Sequence, residues 1–135
     1  MKQYHIVSRI AIYSLAVILI VFGIFHFLKP QDLVVYIPLS VPGGIIWTYL
    51  LGAAFIAVGI SFITNRLVKF AGYLLAALLT FFVFAIHLPN ALNAGDKEMR
   101  MLAFISFIKD AAIACFALHI AAGAHHQHLH LEESD

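Results

Sequence analysis

Apolar residues fall in four long runs along the chain, separated by short clusters of polar and turn-forming residues. The runs cover about Ile10–Phe27, Ile45–Ile63, Leu67–Leu88 and Met101–Gly123. A helix rising 1.5 Å per residue needs about 20 residues to cross a hydrocarbon core, and each run meets that length. Away from their ends the first three carry no Asp, Glu, Lys or Arg. With no water at membrane depth, a backbone must satisfy its own hydrogen bonds, so runs of this kind are predicted as helices. A transmembrane β-barrel would show alternating polarity at strand length, a pattern the chain lacks. The expected fold class is all-α: an antiparallel bundle of four transmembrane helices, forming a single integral membrane domain over residues 1–135.

The connections refine this topology. Thr64, Asn65 and Arg66 leave room only for a tight antiparallel hairpin between the second and third spans. Leu28–Gly44 holds three prolines and a Gly-Gly pair, and Pro89–Arg100 holds Asn90, Asn93, Gly95 and Asp96. Neither is long enough for a separate domain, and no internal repeat is visible. The first run follows Lys2 and Arg9 as a signal peptide would. It is nevertheless longer than the usual apolar core of about 7–15 residues, and Phe25-His26-Phe27 stands where small cleavage-site residues belong, so it reads as a retained span. Four spans put both termini on one side with the second–third loop. Lys2, Arg9, Arg66 and Lys69 lie on that side, against Lys29, Lys97 and Arg100 opposite, which favours cytoplasmic termini by the positive-inside rule. The expected location is the bacterial inner (plasma) membrane.

Composition agrees with the runs. The chain is 63% hydrophobic and 11% charged, with mean hydropathy +0.97, whereas a soluble domain carries about 25% charged residues. No block of Lys or Arg interleaved with aromatics suggests a nucleic-acid partner. Cys115 is the single cysteine, so the chain can form neither an intrachain disulfide nor a CxxC redox pair. It reads as a small packing residue in the fourth span.

Chemistry, if present, belongs to the polar residues at membrane depth. Lys109 and Asp110 lie about two turns inside the fourth span, where each ion costs about 2.5–3.5 kcal/mol on insertion scales. Neighbours on a helix point about 100° apart, so each wants a partner on another helix, a backbone carbonyl or water. Ser106 precedes them by three and four residues and can share that face. His26 and His87 close the first and third spans on the side where the fourth begins, and Trp47 with Tyr49 opens the second span there. A polar, aromatic-lined pocket of His26, Trp47, His87, Ser106, Lys109 and Asp110 follows as one reading. The other makes the histidines interfacial residues, Trp47 part of an aromatic belt, and the Lys-Asp pair a structural contact that fixes helix register.

Residues 124–135 form a His-rich tail. His125, His126, His128 and His130 are dense enough to attract a divalent metal but lack the spacing of a structural zinc site, and a solvated tail is the plainer reading. Gly52, Ala53, Ala57 and Gly59, then Gly72 and Ala76, then Ala111, Ala114, Ala117 and Ala121 offer surfaces for close helix approach in lipid.

Several short motifs resemble DoxX-like membrane proteins: Gly23-Ile24-Phe25-His26-Phe27-Leu28-Lys29-Pro30, Ile37-Pro38-Leu39, Trp47-Thr48-Tyr49-Leu50-Leu51-Gly52, Asn65-Arg66, His87-Leu88-Pro89 and Lys109-Asp110. The resemblance spans nearly the whole chain and implies a four-helix bundle. It also implies kinship with a small subunit associated with a thiosulfate:quinone oxidoreductase, or with proteins of redox-stress complexes and membrane-protein assembly. The chain itself shows no haem-ligand pair, flavin motif or dithiol, and no cofactor is expected.

Two functional readings follow. One is a non-enzymatic accessory subunit or assembly factor of a membrane complex, in contact with the bilayer and with a membrane-protein partner or further copies of itself. The other is a pocket protein that binds a quinone, sterol or similar amphipathic molecule near Asp110. A proton-coupled exporter suits the size but has Asp110 as its one carboxylate at membrane depth.

Overall fold

The computed structural model describes the backbone at residues 2–35, 37 and 42–133 and the side chains at 6–35, 37 and 42–123. The described residues are mostly helical, with no strand among them. α1 spans Lys2–Leu28, the short α2 Pro30–Val34, α3 Ile45–Thr64 and α4 Val68–Phe82. A π-helical turn over Val83–His87 leads into α5, Leu88–Asn93, and α6 runs over Lys97–Glu133. Four stretches are long and apolar enough to cross a membrane: Ile6–Leu28, Ile45–Thr64, Val68–Asn93 and Lys97–Gly123.

These helices overrun the apolar runs, and the third span does so through a proline. Sequence reasoning ends that span at Leu88, before Pro89, but the helix continues to Asn93 by loosening one turn. Proline has no N–H to donate, and its ring crowds the carbonyl four residues back, here that of Ala85. The Leu88 N–H reaches instead to the Val83 carbonyl, five residues back. The π turn thus lets the helix pass Pro89 and re-aims the residues around it. α6 likewise begins at Lys97, because a helix can extend past its apolar stretch into the headgroup region.

Glycines set the antiparallel contacts. A Cβ at Gly52 would lie 2.7 Å from His26 Cβ and 2.9 Å from the Gly23 carbonyl oxygen, and one at Gly59 would lie 2.8 Å from the Ala16 carbonyl. α1 and α3 therefore meet backbone to backbone, in the manner of small-residue interfaces in lipid. Gly72 on α4 serves α6 the same way, 2.9 Å from Ala121 Cβ by the same measure. The hairpin between α3 and α4 turns at Asn65 and Leu67, both in the left-handed region (φ 57° and 54°). The N–H groups of Asn65 and Arg66 both bond to the Ser61 carbonyl and close the helix end.

One apolar core runs through all four spans, from Ala16 and Leu19 through Phe55, Val58 and Phe62 to Leu75, Leu79 and Phe82, and on to Ala114 and Ala117. The middle spans are the better covered. In their most apolar windows, 39% of α3 and 44% of the third span are buried, against 22% of α1 and 17% of α6. The outer helices expose apolar side chains, as a protein bathed in lipid tails requires.

Candidate functional site

Asp110, on the face of α6 turned toward α4, meets His87 at the end of the π turn. His87 Nε2 donates to Asp110 Oδ2 at 2.8 Å, and each side chain is 18% exposed. The partner that Asp110 needs at membrane depth is thus supplied by the neighbouring helix, and Pro89 places it by forcing the π turn. A carboxylate accepting from Nε2–H fixes the orientation and tautomer of the imidazole. Among the described residues, neither Ser106 nor Cys115 is hydrogen-bonded to it; Ser106 is half-buried and Cys115 exposed.

The other predicted site residues go elsewhere. His26 is 5% exposed and lies between α1 and α3. Its Nδ1 donates to the Phe22 carbonyl at 2.7 Å, and its ring stands edge-on to Phe22 at 4.6 Å and 5.5 Å from Phe55. Because a carbonyl can only accept, the proton sits on Nδ1. Trp47 is exposed, and its Nε1–H bonds to the Pro42 carbonyl at 2.6 Å. It ties the start of α3 to the turn that contains Gly43 and Gly44, both at positive φ. Lys109 is exposed, one helical step away from the buried flank that Asp110 faces. Of the six residues, the structure joins His87 and Asp110 directly, and no hydrogen bond among the described residues links the other four to them.

Two features had no place in the sequence reading. Thr48 is 1% exposed, and its Oγ1 has no hydrogen-bond partner among the described residues. It lies one turn before Gly52 on the face of α3 that meets α1. A groove of about 530 Å³ between α5 and the start of α6 is lined by apolar side chains together with Lys97 and Arg100. Pro89 was the available sequence signal for the first turn of this region, since a proline inside an apolar run marks a local break. The side chains of His125, His126, His128 and His130 lie outside the described residues. Among those described, no group of three His, Cys, Asp or Glu residues could hold a metal.

No curated protein and no solved structure matches the chain. One family model matches it over residues 15–124 and is described as a domain of unknown function, DUF8561. That match overturns the DoxX-like resemblance. The motifs behind it are short, and Trp47 with Tyr49 where a span begins and the basic turn at Arg66 are residue types that the bilayer interface favours in many multispan proteins. They report the solvent rather than descent, and the link to a thiosulfate:quinone oxidoreductase falls with them. Since the match covers most of the chain, the protein belongs to the DUF8561 family.

Proposed function

We propose that this protein is a non-enzymatic accessory subunit of a membrane protein complex, docking on a helix of its partner through the flank of α6 that carries Lys109. The exposure of Lys109 is the observation that carries this reading. At 1.5 Å per residue its Cα lies about 18 Å and about 21 Å from the two ends of the Lys97–Gly123 span. Ionisable residues at such depth normally face a bundle interior or pair with another group. Lys109 faces outward, and the described residues offer it no carboxylate. A second copy of the chain is a poor candidate, because Asp110, its carboxylate at comparable depth, is engaged with His87. A different membrane protein with an acidic or carbonyl-rich patch in a span meets the need. On this reading His87–Asp110 fastens α6 to the third span and presents Lys109.

The charges at the helix ends support the bacterial inner membrane with cytoplasmic termini as the setting. The test is photo-cross-linking in native membranes from position 112, about one turn from Lys109. The expected adduct is a membrane protein with an Asp or Glu in a span. Lys109→Met should reduce its yield about tenfold and Lys109→Arg should retain it, with the thermal stability of the purified protein preserved in both. Equal yields from all three proteins would refute the docking role.

A second reading, an amphipathic ligand inside the bundle, draws not on Asp110 but on the Thr48 hydroxyl, unpartnered among the described residues on the face of α3 that meets α1. A buried hydroxyl without a partner costs about 1–3 kcal/mol, which a ligand oxygen or a water would offset. Ligand density beside Thr48, together with unchanged cross-linking in Lys109→Met, would favour it over docking.

A further inference from the structure

The groove between α5 and α6 lies on another flank of the fourth span. From Arg100 to Lys109 the helix turns two and a half times, which puts the two cations on opposite sides. Lys97, Arg100, Phe104 and Phe107 follow one another at intervals of three, four and three residues, so they form one stripe along α6. Leu88 and Leu92 of the α5 region make the facing wall. The stripe has a polarity. Its two cations stand where the span begins, and its two phenylalanines lead inward, over a length of about 15 Å at 1.5 Å per residue.

Neither cation is ion-paired among the described residues. The carboxylates nearby in sequence, Asp96 and Glu98, are not part of the lining, and Asp96 Oδ1 accepts from the Glu98 N–H at 3.2 Å. The wall stays open, with Leu92 67% and Phe104 52% exposed. A volume of about 530 Å³ falls within the usual range for small-molecule sites, about 300–1,000 Å³.

We infer that this groove holds one anionic phospholipid, its phosphate headgroup on Lys97 and Arg100 and an acyl chain along Phe104 and Phe107. The match is one of charge and direction together. A lipid standing in its leaflet presents an anion at the interface and hydrocarbon beneath it, in the order in which the groove presents cations and then aromatic walls. Basic pockets at helix ends recognise anionic headgroups in this manner. A soluble anion would leave the apolar half of the groove unfilled. The site is independent of Lys109 and of any docking there.

The test uses the whole chain in nanodiscs that contain phosphatidylglycerol and phosphatidylcholine in equal amounts, with native mass spectrometry to count retained lipids. Both lipids carry a phosphodiester, and only the first has a net negative charge. Wild-type protein should retain phosphatidylglycerol preferentially. Lys97→Gln and Arg100→Gln should each cut the preference about fivefold, the effect of one basic residue near an anionic headgroup. Arg66→Gln with Lys69→Gln, at the other end of the bundle, should leave it unchanged. A second measurement needs no variant. Phosphatidylglycerol with a photoreactive acyl chain should label wild-type protein mainly within residues 88–107. Equal retention of the two lipids, a preference that survives loss of both cations or falls equally with Arg66 and Lys69, or labelling spread over α1 and the whole of α6 would each overturn the assignment. Exclusion of the lipid label from residues 88–107, as a second helix seated in the groove would produce, would overturn it as well.

Discussion

The contact between His87 and Asp110 yields a quantitative prediction, because it joins two spans through one hydrogen bond. The perturbation is a cycle of His87→Leu, Asp110→Leu and the double variant. In soluble proteins, breaking a buried ion pair from one side costs about 3–5 kcal/mol. Hydrogen bonds between membrane helices are worth less, about 0.6 kcal/mol on average and about 1.7 at most, since helices separated within the membrane still find other partners. The pair has one bond of 2.8 Å and side chains 18% exposed, so the membrane scale governs, at its upper end because the acceptor is a carboxylate. Each single variant should lose about 2 kcal/mol, since it leaves one polar group without its mate. The double variant should lose clearly less than the sum, with a coupling of about 1–2 kcal/mol, or about 5- to 30-fold in the unfolding equilibrium. The assay is reversible unfolding in mixed micelles titrated with denaturing detergent, followed by fluorescence of Trp47, the single tryptophan. Losses that add to within about 0.5 kcal/mol would mean that the two residues act independently, and the fastening role would be withdrawn.

Two further outcomes follow from the fold. Gly52→Val should loosen α1 from α3 and cost about 1–3 kcal/mol or more by overpacking, since its Cβ would meet His26 Cβ and the Gly23 carbonyl at 2.7 and 2.9 Å, whereas Gly95→Ala, with nothing within 4 Å, should be nearly silent; the same detergent titration compares them. In a Cys115→Ala background, single cysteines at positions 3 and 66 should react with a membrane-impermeant thiol reagent from the same side, and one at position 97 from the other, as four antiparallel spans require; labelling of 3 and 66 from opposite sides would contradict the topology.

Much of this architecture is legible in the chain itself. Four apolar runs of spanning length, charged internally only at Lys109 and Asp110, have one stable state in a bilayer, because every unsatisfied peptide group there is costly, so helix number, helix type and antiparallel order follow from hydropathy and length. The small residues announce close packing, although Gly52, Gly59 and Gly72 take part in it while Ala53 and Ala57 face outward. Hydropathy cannot rank these positions, since both faces of a membrane helix are apolar.

The site depended on contacts between helices. Sequence placed His26, Trp47, His87 and the Lys-Asp pair at one end of the bundle, but the rotation of each helix about its axis decides which of them meet. That rotation is set by the glycine contacts and, in the third span, by the extra residue of the π turn before Pro89. Tertiary structure accordingly gave Asp110 to His87, kept His26 between α1 and α3, and left Lys109 facing outward. The groove with Lys97 and Arg100 was hidden for the same reason: its walls come from α5 and α6, whose approach depends on a helix that continues through a proline.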